Sequence, residues 1–299
     1  MDSHTINHQQ IFSTPHQQRQ AQQASMDDDR NITTLLLTQT FRIGRCTSLL
    51  SPTSPTISSE KLEYKIRIPL SKHLYEQYRS QLKVNDKDSV EYESYKDILR
   101  VLKIAYGNVD KDQYRIQYIQ FHCTGLLPNQ MFVFIKDITD PDDNFTLVLN
   151  KISPKVKLNR FIVELLEDLN HDPLIIKPFN LPNDFIPNLI NQLSTKLEDI
   201  HGSMELVYTT EDKTKLLRNM IVEIRKSDLE SLYTEQLYED ICNFLYTNTK
   251  IRFNRLVIER LNSSLMNLSN DGKIKFNDEL DDILWYLFEA SKQSKENNE

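Results

Sequence analysis

The chain has 299 residues, of which 26% are charged and 39% hydrophobic, and its formal net charge is −7. That balance is ordinary for a soluble globular protein, and the net negative charge argues against a general nucleic-acid coat protein, which would be basic. The chain has only five glycines, all far apart, which excludes the clustered glycines of phosphate-binding loops and dinucleotide fingerprints.

The cysteines and the apolar runs indicate the compartment. Cys46, Cys123 and Cys242 are odd in number and widely spaced, which predicts free thiols rather than a disulfide framework or a zinc site. Residues 1–23 lack the apolar core of a signal peptide. The longest apolar run, 131–135, is far shorter than the ~20 residues that span a bilayer. We therefore expect an intracellular protein, cytoplasmic or nuclear, without membrane insertion.

The first sixty residues contain one apolar island in a polar tail. Residues 1–30 are rich in Gln, Ser and Asp and predict a disordered tail, because they cannot bury enough apolar surface to offset their ordering entropy. The island, residues 31–46, holds Leu36, Phe41 and Ile43. We expect it to be either a strand added beside residues 62–70 or a segment that binds a partner.

A linker of Ser, Thr and Pro follows the island. Ser51 and Ser54 each precede a proline in it, and we predict them as phosphorylation sites, since an added phosphate could dock or release a tail. The alternative is that this pattern reflects chance Ser/Pro composition.

The folded body begins with strict alternation of apolar and polar residues over 62–70, which predicts a strand. Apolar residues at helical spacing then predict helices over 74–82 and 95–106, the second stopped by Gly107. Three strand-like runs with turn residues between them predict an antiparallel meander: 114–123, 131–138 and 145–152.

The second half is predicted to be mostly helical. Apolar stripes predict two helices after the meander, at 158–169 and 186–200, and a strand pair follows at 204–208 and 220–224. The capping-box sequence Ser227-Asp228-Leu229-Glu230 predicts the start of a helix that continues through Leu245. Further helices are predicted at 253–268 and 280–288.

Together these elements predict an α+β fold: a small antiparallel meander covered by helices, a second strand pair and a helical C-terminal region. The predicted domains are the tail and linker 1–60, an α+β domain 61–201 and a region 202–299. Over residues 62–201 the element order resembles two small interaction modules, the RWD/ubiquitin-conjugating-like domain and the longin domain. No cysteine follows the meander within residues 153–201, where a conjugating enzyme keeps its nucleophile, so the resemblance carries over no functional residue.

Patterns that suggest chemistry have simpler structural causes. An acid-x-x-His spacing occurs at 168–171 and 198–201, but di-metal sites built on it need a Glu from each of two further helices. A histidine at a helix C-terminus is stabilised by the helix dipole alone. His122 and Cys123 are neighbours on a predicted strand, so their side chains point to opposite faces. We predict no catalytic residue, no metal and no cofactor.

The sequence favours two functions over an enzyme whose site the spacing does not reveal. The thirteen Tyr and thirteen Phe exceed ordinary core needs and favour interfaces, so we expect a non-enzymatic adaptor or structural subunit that binds other protein subunits. The alternative is nucleic-acid binding by a winged-helix-like C-terminal region: Lys250, Arg252, Arg255 and Arg260 precede a predicted β wing at 271–276. Glu259 interrupts this basic face. We predict Arg252 and Arg255 as interaction residues.

Overall fold

A computed structural model describes most of the chain after residue 31, in ten stretches: 32–50, 59–81, 92–110, 113–140, 145–169, 174–195, 200–209, 219–232, 236–278 and 282–296. These residues form two compact units. The first takes Arg45–Lys177, and the second combines Arg30–Gly44 with Pro178–Glu299. The structure thus divides the chain at Lys177, whereas the sequence places the limit at residue 201. The predicted tail 1–30 lies outside the described residues.

Both units contain helices and antiparallel strands, which confirms the α+β class. The helices in the described stretches are α1 (Ile32–Leu36), α2 (Ser59–Gln81), α3 (Tyr95–Val101), α4 (Val156–Leu169), α5 (Phe185–Leu193), α6 (Lys226–Ser231), α7 (Leu237–Thr249) and α8 (Ile283–Glu296). The strands there are β1 (Thr40–Cys46), β2 (Lys103–Asp110), β3 (Tyr114–Cys123), β4 (Leu127–Asp137), β5 (Thr146–Lys151), β6 (Lys177–Pro178), β7 (Ser203–Thr209), β8 (Asn219–Arg225), β9 (Val257–Asn262), β10 (Met266–Ser269) and β11 (Lys273–Phe276). None of these helices is long and apolar enough to cross a membrane.

The first unit is built on an antiparallel meander in the order β2-β3-β4-β5. The last three strands confirm the predicted meander, and β2 is an additional strand. The predicted helix 95–106 is therefore wrong beyond Val101. Gly107 does not stop a helix but lies within β2, directly opposite Tyr118 of β3.

A long helix stands where the sequence predicts the first strand, so that prediction is wrong. Ile66, Leu70 and Leu74 of α2 follow each other at intervals of four and are all buried, the repeat of one helix face. The apolar residues over 62–70 also satisfy a period of two, which is why alternation alone suggested a strand. The apolar face of α2 joins a core with sheet residues such as Phe121 and Phe132, whose rings meet edge to face.

Packing around Gly107 yields a stability prediction. A Cβ atom at this position would collide with the ring of Tyr118, a residue that is itself buried. Replacing Gly107 by Ala should therefore lower the free energy of unfolding by about 1–3 kcal/mol, the usual cost of overpacking. Urea denaturation measures it. The exposed neighbour Ala105 serves as control, because Ala105→Ser should change stability by less than about 0.5 kcal/mol; equal effects of the two changes would contradict this packing.

The second unit is a six-strand sheet in the order β1-β11-β10-β9-β7-β8, in which each neighbouring pair is antiparallel. Residues that face each other across antiparallel strands share one face of the sheet. One such row is wholly buried and crosses five strands: Phe41, Ile274, Leu268, Leu261 and Leu206. Helix α5 of the same unit packs against α7 and α8.

Two predicted elements of the second unit are confirmed and two are corrected. The strand pair β7–β8 and the final helix α8 confirm the predictions for 204–224 and 280–288, although residue 280 lies outside the described residues. The helix predicted through Leu245 starts at Lys226 rather than at a Ser227 cap, and ends at Ser231 before α7 begins.

The predicted helix 253–268 is wrong. A short 3-10 turn, Phe253–Arg255, leads into strands β9 and β10 instead. Ser263 stands at the turn between them, and its Oγ accepts a hydrogen bond from the Met266 backbone N–H at 3.2 Å. Serine side chains that bond nearby backbone in this way compete with helix formation. The winged-helix-like order therefore has no second helix at these residues.

Candidate interaction surface

Three of the predicted interaction residues lie in the core of the second unit. Leu36, Phe41 and Ile43 are each 0% exposed. The island forms α1 and β1, and β1 pairs with β11 rather than with residues 62–70. The island thus contains a strand, but the predicted neighbour is wrong because residues 62–70 are helical. These three side chains offer no exposed apolar surface.

The structure brings the other two predicted residues together. Arg252 and Arg255 line a pocket of about 240 Å³ after the C-terminal end of α7. We call this the Tyr246 pocket; its lining residues are Cys242, Asn243, Tyr246, Arg252, Asn254 and Arg255. Ser51 and Ser54, the predicted phosphorylation sites, lie outside the described residues.

The sequence of α7 explains how the pocket forms. Leu237, Ile241 and Leu245, spaced by four, are buried, so Tyr246 lies off the buried stripe and is 42% exposed. The helix ends at Lys250, which adopts the left-handed conformation (φ 64°) while its N–H donates to the Tyr246 carbonyl at 2.9 Å. This reversal returns the chain so that Arg252 reaches the ring of Tyr246.

The pocket is cationic and aromatic. Lys250 Nζ and Arg252 Cζ each lie 5.8 Å from the centroid of the Tyr246 ring, which is cation–π distance. Arg255 adds a further exposed positive charge, and none of the described residues that line the pocket is a carboxylate. Like charges held close together without a counter-ion create a positive potential that attracts anions.

Cys242 of the pocket and its neighbours Tyr208 and Tyr238 are neutral. Burial raises the pKa of the Cys242 thiol, so it stays protonated and is a poor nucleophile. Burial also raises the pKa of Tyr238 and of Tyr208, which therefore remain neutral phenols. The arrangement is suited to binding an anion rather than to covalent chemistry.

The other sequence patterns are not brought together as sites. Within the described stretches, no group of three or more His, Cys, Asp and Glu residues could hold a metal ion. Asp168 and His201 are exposed. Residues 171 and 198, which complete the two acid-x-x-His patterns, lie outside the described residues. His122 is exposed while Cys123 is buried, as expected for neighbours on the two faces of a strand.

The left-handed residue at the end of α7 yields a second stability prediction. For a residue other than Gly, this backbone conformation costs about 1–2 kcal/mol. Lys250→Gly should therefore raise the free energy of unfolding by about 1 kcal/mol, slightly offset by the lost contact with Tyr246. Denaturant unfolding measures it. As a matched control, Thr249→Gly lies in the helix and should lower stability by about 1 kcal/mol; a loss at both positions would contradict the strain at Lys250.

Sequence reasoning identified Lys250 and the two arginines as part of a basic cluster but missed Tyr246. The spacing of four between Tyr246 and Lys250 near a helix end was the available signal, since such a pair shares one side of a helix. No protein-family model matches the chain, and the search of curated proteins finds no match.

Proposed function

We propose that the chain is a non-catalytic adaptor or structural subunit of a multiprotein complex, and that the Tyr246 pocket receives an acidic side chain of a partner protein. One observation carries this proposal. An exposed tyrosine ring is flanked by two cations, with Arg255 beside them and no carboxylate among the lining residues that the structure describes.

The composition of this pocket favours a protein partner. Tyrosine and arginine are enriched at the residues that contribute most to protein–protein binding. An arginine can bind a carboxylate through two parallel hydrogen bonds, and the pocket holds Arg252 and Arg255. Its volume, about 240 Å³, lies below the range of about 300–1,000 Å³ that is common for small-molecule sites. It is large enough for one acidic side chain.

Charge reversal tests the proposal. The R252E/R255E variant should lose its partners, because each carboxylate would then face a negative charge. The tagged full chain is purified from cells that naturally express it, and co-purified proteins are quantified by mass spectrometry. The recovered amount of at least one partner should fall about tenfold, which corresponds to a loss of roughly 1.4 kcal/mol in binding free energy. The control K103E/K157E reverses two exposed charges elsewhere. An unchanged set of partners in R252E/R255E would reject the pocket as an interface.

Nucleic acid is a second candidate ligand for the same pocket. An exposed aromatic ring beside cations is how many proteins stack and hold single-stranded bases. Binding of labelled single-stranded RNA or DNA would then weaken with salt, with a slope that falls by about 0.7 for each cation removed. R252E/R255E should flatten that slope. No binding at low salt would reject this candidate and leave the adaptor role.

A further inference from the structure

The face of the second unit's sheet opposite its apolar row is polar. Thr40, Lys275, Asn267 and Asn262 face one another across β1, β11, β10 and β9 in a single row. They alternate along their strands with the buried apolar residues, so they share the opposite face. A depression of about 520 Å³ lies over these strands.

Four cations lie on this face. Arg42 of β1 is directly opposite Lys273 of β11, and like charges so placed repel each other. Lys275 follows two residues later on the same face, and Arg260 of β9 lines the depression with both lysines. We call Arg42, Arg260, Lys273 and Lys275 the cationic face.

Three carboxylates lie near the cationic face, one fewer than its cations. Asp271 pairs with Lys273 at 2.5 Å, and Glu205 accepts a hydrogen bond from Asn262 at 2.6 Å. Glu259 also lines the depression. Among the residues placed by the structure, no ion pair involves Arg42, Arg260 or Lys275. The surface is therefore complementary to an anionic ligand.

The spacing of the lysines indicates the form of that ligand. Lys273 and Lys275 are two residues apart on one strand, which separates their Cα atoms by about 6.6–6.8 Å. Alternate side chains of an extended peptide have the same separation and point to one side. Carboxylates at every second position of such a peptide would meet both lysines, while the Asn262 and Asn267 amides can bond its polar groups.

We propose that the cationic face binds an extended acidic segment of a partner protein in which Asp or Glu residues alternate with small polar residues. This surface shares no lining residue with the Tyr246 pocket. It does not depend on the function proposed for that pocket.

Fluorescence anisotropy with the full chain tests the proposal. The probes are a labelled peptide of alternating Ser and Glu, a peptide of equal composition with its Glu in one block, and an oligothymidylate of equal length. The alternating peptide should bind best at low salt. The R42E/K275E variant keeps the Asp271–Lys273 pair and should weaken that binding about tenfold or more. R42Q/K275Q removes the charges with less risk to folding and should weaken it in the same direction.

Matched variants distinguish binding at the cationic face from binding elsewhere on the chain. K103E/K157E should leave binding of the alternating peptide unchanged. Loss of that binding in R252E/R255E but not in R42E/K275E would place the peptide at the Tyr246 pocket and overturn the proposal. Equal affinity for the block peptide, or no effect of R42E/K275E and R42Q/K275Q, would overturn the proposal. Tighter binding of the oligothymidylate with the same residue dependence would overturn the assignment to a protein. Stronger peptide binding by D27N/D28N/D29N would assign the face to the chain's own acidic run, and would also overturn it.

Discussion

Replacing Phe41 by Ala is expected to lower the free energy of unfolding by about 3–5 kcal/mol, as for other buried phenylalanines. Phe41 is 0% exposed, faces Ile274 across β1 and β11, and lies with its ring centroid 6.3 Å from that of Phe276. Truncation removes the ring from the apolar row of the second unit and leaves a cavity. Urea denaturation of the full chain measures the loss.

The neighbouring position supplies the control for this change. Arg42 follows Phe41 on β1 but is exposed on the opposite face, so Arg42→Ala should change stability by less than about 0.5 kcal/mol. If Phe41→Ala were as mild, the apolar island would not contain a core strand. It would then have to be reconsidered as a segment that binds a partner.

Replacing Arg67 by Ala should lower the free energy of unfolding by about 2–4 kcal/mol. Arg67 of α2 is 1% exposed. Its Nη2 donates to the carbonyl oxygens of Leu99 and Leu102 at 2.7 and 3.3 Å, at the C-terminal end of α3. These carbonyls have no further helical turn to bond them, and a positive charge there also favours the helix dipole.

Chemical denaturation of three variants separates packing from hydrogen bonding at Arg67. Arg67→Lys keeps a charge but loses the planar fork that reaches two acceptors, so it should fall between wild type and Arg67→Ala. The exposed neighbour Lys65 is the control, and Lys65→Ala should be nearly neutral. Equal losses for Arg67→Lys and Arg67→Ala would show that the hydrogen bonds to α3 require the guanidinium itself. A neutral Arg67→Ala would contradict the capping role.

The sequence predicted those elements whose buried apolar residues recur at a regular spacing within the element itself. The strands β3 to β5 have apolar runs with turn residues between them, and α4 has a stripe at helical spacing; both need only local information. Residues 253–268 show why other elements could not be predicted. Leu261 and Leu268 fit a helical spacing, but they face each other across β9 and β10, and this pairing depends on how the strands assemble in the sheet.

Helix α2 and strand β2 could not be predicted for related reasons. In α2 the same apolar residues satisfied two periods, and only their continuation to Leu74 favours the helix. At Gly107 the reason for a glycine is the ring of Tyr118 on the next strand, which no local pattern reveals. The joining of Arg30–Gly44 to Pro178–Glu299 in one unit likewise depends on contacts distant in sequence.

The candidate site was predicted in part. The density of arginines indicated Arg252 and Arg255, since charge clusters are visible in a sequence. Tyr246 was missed because it joins them only through the left-handed turn at Lys250. Lysine rarely adopts that conformation, so the lysine at position 250 gave no sign that the chain reverses there.

Crosslinking from position 246 tests the central claim most directly. The photoreactive amino acid benzoylphenylalanine replaces Tyr246 in the full chain, the cells are irradiated, and crosslinked products are identified by mass spectrometry. The aromatic replacement fits an exposed position, and the same amino acid at exposed Ala105 is the control. We predict crosslinks from position 246 to an acidic segment of another protein, lost in R252E/R255E. Crosslinks to nucleic acid, or none beyond the chain itself, would contradict the proposed function.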